Sequence, residues 1–239
     1  MIGTAVNWPA RSVCLRLASS DTASIAEDAY QLACRTDLDM PGFCIISIES
    51  VADSVSFRRL MVDLKGAMSE IHASKTGGSL VYLSASRFDQ RSTTRPHLDG
   101  GPDECLLMLG YEPSNVKSEI EISDYSKCAY HLGITPKAFM TEHNPMFDQG
   151  SALLKPYSMR VPCFSPLRYQ IVCINNSSAP YSTDGTTWQG VLHNATIEAV
   201  AETDPRIVNS TMIGTAPRGD HDLVSLGEQL RFINMSQHL

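Results

Sequence analysis

From Ser79 onward the sequence breaks into short β-rich pieces, "SLVYLSASRF", "ECLLMLGY", "SEIEIS", "RYQIVCINN", "RIVNSTMIG" and "QLRFIN", separated by Gly, Pro, Asn and Asp. Strands this short, punctuated this often, bury their apolar faces as a sandwich or barrel. One helical insert is expected among them. "DYSKCAYHLG" ends at Gly133 with the residue type that terminates a helix, and Thr135-Pro136 has the cap and first-turn pattern for "PKAFMTEH". Before Ser79 the texture is helical. Asp21 is placed to cap a helix over "TASIAEDAYQLACR", and Phe57, Leu60, Met61, Leu64, Met68 and Ile71 keep the spacing of one buried helical face. Between them "GFCIISIE" reads as a single buried strand. The expectation is one α+β, mainly β domain over residues 1–239, with 1–78 as helical and strand support and 79–239 as a β core carrying the insert near 124–145.

The formal charge is −7, with no run of Lys/Arg and no aromatic residues interleaved with basic ones, so a nucleic-acid surface is not expected. Seven cysteines are scattered without a C-x-x-C pair, which indicates neither a disulfide framework nor a zinc ribbon. Arg11 and Arg16 stand where a signal peptide needs an apolar core, and no run approaches the roughly 20 apolar residues of a membrane span. A soluble, cytoplasmic protein acting on a small molecule is expected; the oligomeric state is not readable.

One segment carries chemistry. In "TRPHLDGGP" an extended chain would put Arg95, His97 and Asp99 on one side and Pro96 and Leu98 on the other. Imidazole and carboxylate two residues apart can share a metal ion, and a second histidine would complete a set that leaves three positions open on iron. His193 in "WQGVLHNATI" is such a residue. Arg206 follows in "DPRIVNSTMIG", where Arg206, Val208, Ser210 and Met212 would share a strand face, and an arginine there can grip a carboxylate with two parallel hydrogen bonds.

With these residues in order, the chain resembles the iron(II)- and 2-oxoglutarate-dependent dioxygenases of the taurine dioxygenase-like group over roughly residues 41 to 216. That family has an H-x-D motif, a helical insert with an "AAY..L" stretch, a distal histidine, and an arginine-bearing strand. Here "KCAYHLG" follows H-x-D, and "PRIVNSTMIGTAP" follows His193. The resemblance implies a double-stranded β-helix, a cupin-like jelly roll, with His97, Asp99 and His193 as Fe(II) ligands and Arg206 holding the distal carboxylate of 2-oxoglutarate. It implies O₂ as co-substrate and succinate and CO₂ as products of an oxidation such as hydroxylation of an amino acid or other carboxylate. Asp99 argues against halogenation, since the family's halogenases replace that carboxylate with Gly or Ala. Ser210 stands at the family's second arginine, so a sulfonate substrate is not expected; Ser210 becomes a candidate second contact near the co-substrate. The position of the family's co-substrate threonine falls near Glu121, which leaves that contact unassigned.

Arg95 and Tyr111 are candidate substrate contacts from the pocket wall. His221, with Arg231 ten residues on, is the rival distal histidine, whereas His72, His131 and His143 are expected to cap helices or face solvent. Two other classes share parts of the pattern. A non-redox cupin-type metal enzyme, such as an isomerase, would keep the ligands without needing Arg206, and a jelly-roll binding module would need neither.

Overall fold

The computed structural model describes residues 13–198 and 204–235. In chain order the elements are β1 (Cys14–Leu17), α1 (Ala23–Ala33), β2 (Phe43–Ile48), α2 (Ser54–Thr76), β3 (Ser79–Asp89), β4 (Cys105–Tyr111) and β5 (Ser118–Ser123). Then come α3 (Tyr125–Leu132), α4 (Pro136–Glu142), α5 (Asp148–Leu154), β6 (Ser158–Arg160), β7 (Gln170–Asn175), β8 (Leu192–Ile197), β9 (Ile207–Ala216) and α6 (Leu226–Asn234). The architecture is mixed, with a large, mainly antiparallel six-stranded sheet in the order β1-β2-β7-β4-β9-β3 and a second sheet of three strands in the order β6-β5-β8. Among the described strands, only β1 and β2 pair in parallel.

Both faces of the large sheet are covered, which explains the unbroken apolar run of β4. Leu106 and Met108 turn toward Phe57, Leu60, Met61 and Leu64 of α2. Leu107, Leu109 and Tyr111 alternate to the other side, where they meet Ile120 and Ile122 of β5. The site lies in this second layer, between the sheets.

Several local signals act as expected. The Thr135 hydroxyl accepts from the Ala138 amide with Pro136 behind it, and Gly133 ends α3 with φ of 72°. Asp21 accepts from the Ala23 amide, although Thr22 takes the cap position of α1. Other expectations need correction. "QLRFIN" is the second half of helix α6, because the Ser225 and Glu228 pair forms a reciprocal capping box that outweighs a short alternating pattern. The N-terminal region supplies two strands, β1 and β2, both in the large sheet, and the insert runs on through α5 and a short 3₁₀ turn at 155–157. Contrary to the reading of the cysteines, Cys14 and Cys163 are joined in a disulfide that ties β1 to the loop after β6. No described helix is long and apolar enough to cross a membrane. The signal-peptide reading at Arg11 lies outside the described residues.

His72 is neither a cap nor solvated. It is buried one turn inside α2, its Nδ1 shares a hydrogen bond with the Tyr30 hydroxyl at 2.8 Å, and Trp188 packs edge-on at 5.7 Å. Burial holds its pKa below the ordinary imidazole value. The folded state thus keeps His72 neutral while the unfolded chain protonates below about pH 6.5, so its contribution is present above that pH and lost as pH falls. His193 acts with the same sign, so the informative quantity is a change in slope. Urea unfolding of His72→Phe between pH 7.5 and 5.5 should give a shallower loss of stability than the parent, by at most about 1.4 kcal/mol per pH unit. Identical slopes would mean that His72 charges in place.

Candidate metal centre

The H-x-D segment reaches the small sheet through two backbone hydrogen bonds. His97 N–H donates to the His193 carbonyl at 3.1 Å, and His193 N–H donates to the His97 carbonyl at 3.2 Å. Just before this bridge the Thr94 N–H donates to the Ala195 carbonyl at 2.9 Å, so residues 94–97 run antiparallel beside β8. Residues directly opposite in an antiparallel pair project to the same face. The two imidazoles accordingly lie with centroids 4.4 Å apart. His193 also faces Ile122 across β5, and Ile122 belongs to the layer between the sheets.

Asp99 completes the group. Its carboxylate oxygens lie 3.6 Å from His97 Nε2 and 4.0 Å from His193 Nε2, and one ligand atom from each of the three residues lies within 4.8 Å of the others. First-row ions bind such atoms at about 2.0–2.2 Å, so a small contraction would close the three around one ion. The protonation pattern suits that role. A carbonyl can only accept, so the 2.7 Å contact between His97 Nδ1 and the Arg95 carbonyl places the proton on Nδ1 and leaves the Nε2 lone pair facing Asp99. Burial, reinforced by the neighbouring His97, pushes His193 down to about 4, so it is a neutral donor at physiological pH. Interaction with His97 keeps Asp99 below the usual carboxylate range, and Asp99 in turn raises His97. His193 Nδ1 is buried without a hydrogen-bond partner among the described residues.

Arg206, directly before β9, is 2% exposed. Its Nε donates to the Ser118 hydroxyl of β5 at 3.0 Å and its Nη1 to Gln90 Oε1 at 2.5 Å, while the guanidinium lies 5.0 Å over the Tyr111 ring. The side chain therefore crosses from the large sheet to the small one. Its Nη2 is buried with no acceptor among the described residues. Ser210 faces Leu109, and Val208 faces Tyr111, in the β9–β4 register. Leu109, Tyr111 and Val208 all belong to the layer between the sheets, so Arg206, Val208, Ser210 and Met212 share that inward side.

Arg95 sits apart from the ligand cluster. Its guanidinium pairs with Asp148 of α5 at 3.1 Å on the surface, where the two side chains are 53% and 96% exposed. Tyr111 is a buried ring packed between Arg206 and Phe164. His221 lines a separate cleft with Lys65 and Ser79, so His193, not His221, stands beside the H-x-D pair. Glu121 faces Asn194 and Arg160 in the small sheet and is half-buried, which raises its pKa.

Sequence reasoning missed three supporting residues. Asn176 bonds both the amide and the carbonyl of Asp99. Ser118 and Gln90 anchor Arg206. Each acts across a long sequence separation, and none stands in a recognisable motif. Compared with known proteins, the chain matches no family model and no curated protein.

Proposed function

We propose that the protein is a non-haem Fe(II)- and 2-oxoglutarate-dependent oxygenase on a double-stranded β-helix core. It would hydroxylate a small amino acid or other carboxylate with release of succinate and CO₂. Strand order supports the core. Taking residues 94–97 as a fourth strand beside β8, the chain alternates between sheets: β3 large, 94–97 small, β4 large, β5 and β6 small, β7 large, β8 small, β9 large. Such alternation is what the winding of a jelly roll would produce, with β1 and β2 as an extension of one edge.

The observation that carries the chemistry is the buried Arg206 guanidinium, whose Nη2 has no acceptor among the described residues, on the strand face that looks into the layer holding Ile122 opposite His193. A buried cation with an unsatisfied donor is costly unless an anion meets it. A non-redox metal enzyme with these ligands has no use for such a residue. Ser118 and the Ile122 position opposite His193 are four residues apart in β5, roughly 13 Å along the strand. With side chains reaching inward from both ends, a short dicarboxylate would bridge the remaining gap.

His97, Asp99 and His193 would hold Fe(II), two neutral imidazoles and one carboxylate leaving three positions for co-substrate and O₂. Iron held there would supply an oxidation by O₂, one oxygen atom going into succinate as 2-oxoglutarate loses CO₂ and the other into a substrate C–H bond. Arg206 grips the distal carboxylate, with Ser118, Gln90 and the Tyr111 face fixing the guanidinium plane. Ser210 offers a hydroxyl on the same inward side. Leu107, Leu109, Val208, Ile120 and Ile122 keep water from the space between. The exposed Arg95–Asp148 pair is worth less than about 1 kcal/mol, so a substrate carboxylate could compete with Asp148 for Arg95.

Anaerobic titration with Fe(II) and 2-oxoglutarate, followed by succinate assays with a panel of amino acids, separates the alternatives. Metal binding without succinate release would favour a non-redox enzyme, and no metal binding a simple binding module. Arg206→Ala should raise the 2-oxoglutarate requirement ten- to hundredfold while leaving metal affinity in its absence unchanged, because charge-assisted hydrogen bonds contribute about 1.5–3 kcal/mol each. Arg206→Lys should recover only part, since a point charge lacks the planar fork. An unchanged co-substrate titration in Arg206→Ala would remove the arginine from the reading.

A further inference from the structure

We propose that Asn176 is a positioning residue for the metal centre, its carboxamide standing in for a missing strand neighbour and setting where the Asp99 carboxylate lies. The inference rests on the metal reading of the cluster. Sheet pairing of the H-x-D segment stops at His97, and beyond it Leu98 and Asp99 belong to no strand. A carboxylate ligand on an unpaired stretch before two glycines would wander, whereas a metal site needs its donors held to within about 0.5 Å.

Asn176 supplies the hold. Its Oδ1 accepts from the Asp99 N–H at 3.0 Å, and its Nδ2 donates to the Asp99 carbonyl at 2.8 Å. One primary amide thus makes the two opposed bonds that a facing residue on an adjacent antiparallel strand would make. Asn176 is itself immobile. It is 2% exposed, its N–H donates to the Cys105 carbonyl at 2.9 Å, and its Nδ2 also lies 3.4 Å from Cys105 Sγ. The amide therefore fixes Asp99 to the ends of β7 and β4 in the large sheet, while His97 and His193 are fixed to the small one. The third ligand's position relative to the other two is set by this clamp.

Zn(II) affinity of the full chain, read by competition with a chromophoric chelator, tests the clamp alongside the melting temperature of the metal-free protein. Asn176→Ala should weaken Zn(II) binding ten- to hundredfold, the usual cost of losing a residue that orients a ligand. Asn176→Asp should do no better, because it keeps an acceptor for the Asp99 N–H but turns a second acceptor toward the Asp99 carbonyl; it also serves should the alanine variant fail to fold. In an Asp99→Ala background the same Asn176 substitutions should change Zn(II) affinity less than about threefold, since no carboxylate is left to place. Unchanged affinity in Asn176→Ala, or an equal loss in both backgrounds, would overturn the clamp while leaving the metal centre standing. Failure of the unaltered protein to bind Zn(II) would overturn the metal centre and the clamp together.

Discussion

Asp99→Ala should bind divalent metal more than about a hundredfold more weakly than the parent and lose all metal-dependent turnover. The expected loss exceeds the ten- to hundredfold that a supporting residue costs, because Asp99 is the one anionic donor in the cluster. Its side chain is 38% exposed, so the truncation opens no cavity in the core. The metal-free variant should unfold within about 0.5 kcal/mol of the parent. This separation is the useful part: metal affinity collapses while metal-free stability stays. Titration of metal-free protein with Fe(II) under anaerobic conditions, beside urea unfolding, measures both. Full retention of affinity would show that the carboxylate is not a ligand, and a large stability loss would recast Asp99 as a structural residue.

The largest stability effect is expected at Asp124. Arg35 and Asp124 form a bidentate pair at 2.5 and 2.8 Å with both side chains fully buried. Arg35 also donates to the carbonyls of Met40, Gln189 and Gly190, and Asp124 caps α3 through the Lys127 amide. Removing one partner of such a pair strands an uncompensated charge, at about 3–5 kcal/mol, a large share of a typical domain's 5–15 kcal/mol. Asp124→Ala should therefore unfold at markedly lower urea concentration. Replacing both residues, as in Arg35→Met with Asp124→Leu, should recover part of the loss, since no charge is then left buried. A cost below about 1 kcal/mol for Asp124→Ala would mean that water reaches the pair. The effect bears on the site as well, because the Gln189 and Gly190 carbonyls gripped by Arg35 lie just before the strand that carries His193. Gly42 is packed against the same arginine, with φ of 76° and room for no Cβ within 2.8 Å of Arg35 Nε, so this corner tolerates little change.

What could be read from the sequence was what local physics decides. The buried face of α2, the Gly133 terminator and the Thr135-Pro136 start are each set within a few residues, and each was legible. β8 was harder: "LHNATI" offers little alternation, and its identity as a strand comes from pairing with β5 and with residues 94–97. "QLRFIN" failed in the opposite direction, its β-like composition overruled by the Ser225 cap upstream. At the site, the alternation in "RPHLD" and the position of Arg206 were visible as types and spacings. The exposed turn of Arg95 toward Asp148 was not, because it depends on where α5 packs. Asn176 was invisible for the same reason, its bonds to Asp99 joining segments that only the fold brings together. The Cys14–Cys163 pair likewise closes a separation of 149 residues that spacing cannot suggest.

The bridge between His97 and His193 joins two points roughly 100 residues apart in the chain with only two hydrogen bonds. An ion shared by those residues would act as a staple at the same place, closing a loop whose freedom in the unfolded chain is worth about 4–5 kcal/mol in the chain-entropy picture. The Thr94 and His97 amides, which donate across this edge, would then exchange with solvent faster in the metal-free protein than in the loaded one, making this short edge the part of the molecule whose order reports occupancy.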